Sequence, residues 1–286
     1  MTRARATTIG FIAVLLWALL ALFTVGSAPT PPFLLNTLCF AMGGTLGLIW
    51  AGVTGALPKL RQVSLRVYVF GTLGLFGYHA LYFSALRLAP PAQAGLIAYL
   101  WPLLIVVFSG LLPEERLRAG HVVGAVMGFA GAGLIISGGG AGFERQYLPG
   151  YGLALLCALT WSGYSVLSRR IGNAPTASVA VFCLATAALS LPLHLMFEDT
   201  VWPVAPLGWA AIIGLGLGPV GLAFFVWDIG VKRGDIQLLG TSSYAAPLLS
   251  TLVLVVAGVA APSMVLLWAA LLITGGALAA ARASVR

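Results

Sequence analysis

Ten times along this chain, about twenty consecutive residues run apolar with scarcely a charge. That is the length a helix needs to cross the hydrocarbon core of a bilayer. Composition agrees with the repetition. Of 286 residues, 60% are hydrophobic and 8% charged, and the mean hydropathy is +1.03. Soluble domains carry roughly 25% charged residues. A soluble fold could not bury this much apolar side chain and still clothe its surface in polar groups. The fold class is therefore an all-α integral membrane protein.

The expected spans are 7–27, 33–54, 66–86, 92–112, 119–137, 148–168, 176–197, 206–230, 236–258 and 262–282. Helix-stopping chemistry marks several joins: PTPP at 29–32, PP at 90–91, GGG at 138–140 and PVAP at 203–206. The first span also resembles a secretory signal, with Arg3 and Arg5 before it and GSA at 26–28. Its apolar stretch, Ile9 to Val25, is long for one, and cleavage would leave nine spans.

Charge tests the count. With the N-terminus in the cytoplasm, that side holds Arg3, Arg5, Lys59, Arg61, Arg66, Arg116, Arg118, Arg169, Arg170, Lys232, Arg233, Arg282 and Arg286. The other side holds Arg87 and Arg145, which completes the 15 basic residues. A missed span would scramble this alternation, so both termini are expected inside. The net charge of +8 is spread singly or in pairs between apolar runs. Topology accounts for it, and no nucleic-acid partner is expected.

A shift of 145 residues aligns the chain with itself. Tyr99, Pro102, Leu103 and Leu104 fall on Tyr244, Pro247, Leu248 and Leu249. Gly71 falls on Gly216, Gly95 on Gly240 and Gly131 on Gly276, while Trp17 and Trp161 match at 144. Residues 1–140 and 147–286 thus form two five-helix repeats. Five is odd, so the second repeat inserts upside down. Inverted repeats place a substrate site near the bilayer midplane, between the halves. Pro102 and Pro247 lie mid-span at matched depths and predict kinks there, suited to gating.

Tyrosine and tryptophan ordinarily gather at membrane interfaces. Here Trp17, Tyr78, Tyr82, Tyr99, Trp101, Trp161, Tyr164 and Tyr244 fall toward mid-depth instead. Tyr78 and Tyr82, four apart, share a helix face. Tyr99 and Trp101, two apart, can both face a cavity only if the turn rotates at Pro102. His79 is an ionisable group inside the membrane, open to substrate contact, structural hydrogen bonding or proton transfer. Asp228 and His194 are marginal cases, and Asp228 is expected to pair with its basic neighbours. Ser242 or Ser243 adds a hydroxyl. Together these side chains predict a neutral, ring-lined central cavity with substrate-binding residues Trp17, Tyr78, His79, Tyr82, Tyr99, Trp101, Trp161, Tyr164, Ser243 and Tyr244. Cys39, Cys157 and Cys183 sit in apolar runs without metal-pair spacing, so neither metal nor cofactor is expected. GLGLGPVG at 214–221 follows no strand and reads as helix flexibility or close packing. Gly120, Gly124 and Gly128 read as a tight helix contact.

EERLRAGHVVGAVMGFAGAGLI at 114–135 resembles the end of the repeat in the drug/metabolite transporter superfamily, EamA type. Glu115, Arg116, Gly120, Gly124 and Gly131 fit its pattern. Residues 77–104, GYHALYFSALRLAPPAQAGLIAYLWPLL, look like the bacterial aromatic amino-acid exporters of that superfamily. The resemblance implies a basket of ten helices in the bacterial inner membrane, exporting neutral amino acids by alternating access without cofactor. The second repeat departs from it: Val259 and Ala260 stand where Glu114 and Glu115 stand in the first. Anionic sugar conjugates would need cavity lysine or arginine, and the midplane has none. An enzyme would need a catalytic constellation, which Glu114 and Glu115, adjacent in a loop, do not supply. Facilitated rather than proton-coupled export is expected, because no buried carboxylate offers a coupling site.

Overall fold

A computed structural model describes residues 1–138, 142–171, 174–256, 258 and 261–285. Gly139, Gly140, Val259, Ala260 and Arg286 lie outside the described residues. Among the described residues, ten helices are long and apolar enough to cross a membrane: Arg3–Gly26, Pro32–Val53, Leu65–Leu88, Pro91–Ser109, Ala119–Ser137, Arg145–Arg170, Ser178–Phe197, Pro206–Arg233, Ile236–Val256 and Met264–Ser284. They are spans 1 to 10 below. Their ends fall within a few residues of the expected ones, and no strand occurs among the described residues.

Packing follows the repeat. Span 5 lies on span 10 and span 2 on span 7, each pair joining equivalent helices of the two halves. Span 3 lies on span 6, and span 1 on span 8. Small residues make these contacts. A Cβ on Gly124 would sit 2.4 Å from the Gly276 carbonyl oxygen, and one on Gly10 would sit 2.7 Å from Gly230 Cα. In hydrocarbon no hydrophobic force drives helix on helix, so close backbone approach supplies the contact energy. The Gly120 and Gly124 stripe does serve span 10, whereas Gly128 accommodates the Tyr244 ring at 2.4 Å.

Four spans are interrupted. Span 4 consists of Pro91–Ala98 and Trp101–Ser109, and span 9 of Ile236–Ser242 and Ala245–Val256. The expected kinks at Pro102 and Pro247 are thus full breaks, a few residues upstream of each proline. A proline clashes with the carbonyl four residues before it. Ending the helix near Ala98 and Ser242 removes the clash and leaves each proline in the first turn of a new helix, where a missing N–H costs nothing. Span 1 breaks between Arg3–Trp17 and Leu20–Gly26, and span 8 carries a π-helical turn at Gly218–Leu222.

Charges sit at the two ends of the bundle. At one, Glu198 accepts from the Phe33 and Leu34 amides at 3.0 and 3.2 Å, capping span 2. It also pairs with Arg87 at 3.1 Å and meets His194 Nδ1 at 3.0 Å. His194 Nε2 lies 2.8 Å from the Thr200 hydroxyl, so both nitrogens of that ring are taken.

Gly124→Val should leave little folded protein, or lower the melting temperature in detergent, since the branched side chain has backbone on its near side. A wild-type melting curve would contradict this account of the span 5 and span 10 contact.

Candidate functional site

The matched breaks bring aromatic side chains together at the centre of the bundle. Trp17, Trp101, Trp161 and Trp227, one each from spans 1, 4, 6 and 8, form a cluster in which every pair of rings has its centroids 5.1–6.4 Å apart. Most pairs meet edge to face, the arrangement the ring quadrupole favours. Tyr78 lies 5.4 Å from Trp161 and is stacked on Tyr82 at 6.2 Å with 4° between planes. His79 stands 5.1 Å from Tyr78 and 4.9 Å from Phe40. Tyr164 lies 5.3 Å from Trp161. Tyr99 is 6.2 Å from Trp101 and 6.4 Å from Tyr244. The break at Tyr99 and Leu100 supplies the rotation that a continuous helix would have denied Tyr99 and Trp101.

Polar atoms divide this network into two sets. In the first, each is committed within the protein. Trp17 Nε1 donates to the Pro219 carbonyl at 3.1 Å and Trp227 Nε1 to Ser165 Oγ at 3.1 Å. The Tyr244 hydroxyl accepts from the Leu103 amide at 3.0 Å. That amide is the third of the helix starting at Trp101, an orphan created by the break. The Ser243 hydroxyl, fully buried, donates to the Leu239 carbonyl at 2.8 Å. Tyr164 is also buried, and its backbone carbonyl accepts from the Ser168 hydroxyl at 2.6 Å.

In the second set are the hydroxyls of Tyr78, Tyr82 and Tyr99, the indole N–H groups of Trp101 and Trp161, and Nε2 of His79. None has a hydrogen-bond partner among the described residues. None is sealed off either: the fully buried, unpartnered side-chain atoms are Thr30 Oγ1, Gln93 Oε1, Ser178 Oγ, Thr186 Oγ1 and Gln237 Nε2. Six polar atoms of the ring network are therefore neither hydrogen-bonded nor fully buried. His79 adds direction. Its Nδ1 lies 2.7 Å from the Leu75 carbonyl, which can only accept. In the neutral ring Nδ1 holds the proton and Nε2 offers a lone pair.

Among the described residues no carboxylate or ammonium enters the ring network, and the one cation–ring contact is Arg87 over Phe33 at 5.6 Å. Among the described residues no three His, Cys, Asp or Glu side chains converge as metal ligands. Two grooves, of about 540 Å³ between spans 1 and 9 and about 400 Å³ between spans 2 and 8, are lined almost wholly by aliphatic side chains and border none of these six atoms.

The end that carries both termini holds a network of ion pairs. Glu115, only 8% exposed, pairs with Arg3 at 2.9 Å and with Arg169. Arg3 also reaches Asp235 at 3.5 Å, and Arg169 donates to the Gly234 carbonyl. Arg3 and Glu115 belong to the first half of the chain, Arg169 and Asp235 to the second. Asp228 is buried, paired with Lys232 at 2.8 Å as its spacing predicts, and accepts from Thr176 at 2.8 Å. Reading the sequence missed Glu115 because its partners lie 54 and 112 residues away. It missed Trp227 too, although the 145-residue shift sets Trp227 on Tyr82.

Comparison with known proteins places this arrangement. The model of the EamA-like transporter family matches the chain twice, over residues 5–137 and 148–282. A protein of Ancylobacter novellus named aromatic amino acid exporter YddG is 58% identical over 280 residues, covering 97% of each chain. The protein of that name in Escherichia coli is 25% identical over 293 residues, again covering 97% of each. A solved crystal structure 57% identical in sequence superposes with a TM-score of 0.94, covering 98% of this chain and 97% of its own.

The division of polar atoms is open to a stability measurement. Tyr244→Phe strips the Leu103 amide of its partner and should cost about 1 kcal/mol. Tyr99→Phe, at the equivalent position, should leave the unfolding midpoint where it is. Equal midpoints for the two variants would show that the Tyr244 hydroxyl does not cap the broken span.

Proposed function

The chain belongs to the EamA-like transporter family, and from that premise we propose that it exports neutral amino acids with aromatic or other apolar side chains from the cytoplasm. The observation that carries this reading is the set of six unpartnered polar atoms on an uncharged aromatic wall. The wall suits an apolar side chain, which stacks on the rings of Tyr78, Trp101 and Trp161. The polar atoms suit the two ends of a zwitterion. The ammonium meets lone pairs of His79 Nε2 and the tyrosine oxygens. The carboxylate meets tyrosine O–H and tryptophan N–H donors. Paired charges on one substrate cancel, so the site needs no ion of its own. A phosphorylated or nucleotide-linked sugar would leave its anionic charge unmet there. The name of the 58%-identical relative agrees with this reading.

Transport then proceeds by alternating access. Span orientation follows the distribution of basic residues, with both termini in the cytoplasm. The Glu115 network joins the two halves at that side, and it must part before substrate enters. Nothing in this scheme makes or breaks a covalent bond in the substrate. The unpaired groups are hydrogen-bonding ones, and the buried ion pairs lie away from them, which favours facilitated movement down the substrate gradient.

Purified protein in liposomes should carry labelled tryptophan or phenylalanine faster than protein-free vesicles. Absence of flux in both directions sinks the proposal. His79→Ala should reduce flux roughly tenfold, the worth of one hydrogen bond to a charged group. Undiminished flux in that variant would remove His79 from the substrate's contacts.

A further inference from the structure

The two halves repeat in sequence but not in straightness. Spans 4 and 9 match and are both broken. Spans 1 and 8 are interrupted, yet their equivalents, spans 6 and 3, run unbroken through Leu148–Arg170 and Leu65–Leu88. The interruptions in spans 1 and 8 also belong together. Leu20–Gly26 packs on Pro206–Leu217, and Arg3–Trp17 on Ala223–Arg233, so the pair is two rigid half-pairs meeting at one level. At that level Trp17 Nε1 grips the Pro219 carbonyl.

Transposing the interruptions identifies their counterparts. Leu19, the last residue of the break in span 1, corresponds at a shift of 144 to Gly163. Leu222, the last of the π turn in span 8, corresponds at 145 to Gly77. Packing does not explain either glycine. A Cβ on Gly163 would meet nothing within 4 Å, and one on Gly77 would make an ordinary contact with Thr160 at 3.5 Å. Gly71 and Gly74 in the same helix differ, with rings 2.4 Å from where a Cβ would stand. Gly163 lies on the outward stripe of Gly152, Leu156, Leu159 and Leu167, and Gly77 continues the stripe of Val69 and Leu73. Leucine or alanine would hold a helix better there.

Two nearly equivalent halves can exchange conformations at little net energy, and inversion makes the exchanged state open at the opposite end. We propose that Gly77 and Gly163 are latent hinges, at which spans 3 and 6 bend when spans 1 and 8 straighten. Trp161 Nε1, unpartnered here, then takes the role of its counterpart Trp17 and grips the carbonyl of Gly74, which corresponds to Pro219. The inference rests on the transport reading above. It adds which helices move and where.

Alanine at these positions tests it. Gly77→Ala, Gly163→Ala and their combination have room for the added methyl. They should melt at or above the wild-type temperature and keep the wild-type shift in melting temperature on adding tryptophan. Each should carry labelled tryptophan roughly fivefold more slowly in liposomes, because alanine favours the straight helix. Gly152→Ala, equally unpacked but in the second turn of the Leu148–Arg170 helix and far from the proposed hinge, should transport as wild type. Full flux in the double variant would overturn the hinge. So would slow flux accompanied by lowered melting or lost tryptophan response, or equal slowing by Gly152→Ala. A wild-type protein without flux would strike the transport reading itself, a result distinguishable from any of these.

Discussion

A helix interrupted inside hydrocarbon frees backbone donors and acceptors that have no water to turn to. This protein interrupts four of its ten spans, and the rest of its centre follows from how those groups are met. The Leu103 amide is answered by the Tyr244 hydroxyl from the opposite half, and the Pro219 carbonyl by the Trp17 indole. Each answer ties two broken spans together, so the breaks converge instead of scattering. Large amphipathic rings are the side chains able to do this while filling the surrounding space. The aromatic cluster is thus first a solution to a backbone problem. The polar atoms left over after that problem is solved are those the proposed substrate would meet.

Charge is handled by a different rule. Among the described residues every ion pair lies toward one end of the bundle or the other, and the two ends are not alike. Glu198 gathers Arg87, His194 and the start of span 2. Glu115 bridges the halves through Arg3 and Arg169. The two carboxylates are desolvated while Arg3 and Arg87 stay about half exposed, so removing the cations alone leaves a buried charge unpaired, which is strongly unfavourable. Such pairs favour whole arrangements over partial ones, as the alternating access proposed above requires.

Much of this was legible in the sequence. Apolar run length gave ten spans because hydrocarbon thickness admits few alternatives, and the shared face of Tyr78 and Tyr82 followed from helix geometry. The unlike pair Tyr99 and Trp101 converged through the break that Pro102 imposes. Legibility failed where partners are distant along the chain. Glu115 looked like a loop acid because nothing near it in sequence names Arg3 or Arg169. Ser243 and Tyr244 carry the right groups at the right depth, yet backbone claims both, the nearby Leu239 carbonyl for Ser243 and the Leu103 amide, 141 residues away, for Tyr244; no spacing rule reveals which hydroxyl is already spoken for. The break in span 1 left little trace, since no proline stands at its interruption, whereas the π turn of span 8 falls in the GLGLGPVG stretch that reads as helix flexibility or close packing.

The four-indole cluster has an optical consequence. Indoles at separations of 5.1–6.4 Å exchange excitation energy far faster than they emit, so these four of the chain's eight tryptophans behave as one emitter. Its members come from four different spans. Any rearrangement among those helices changes the coupling, and the polarisation and colour of the protein's own ultraviolet emission report it without a label.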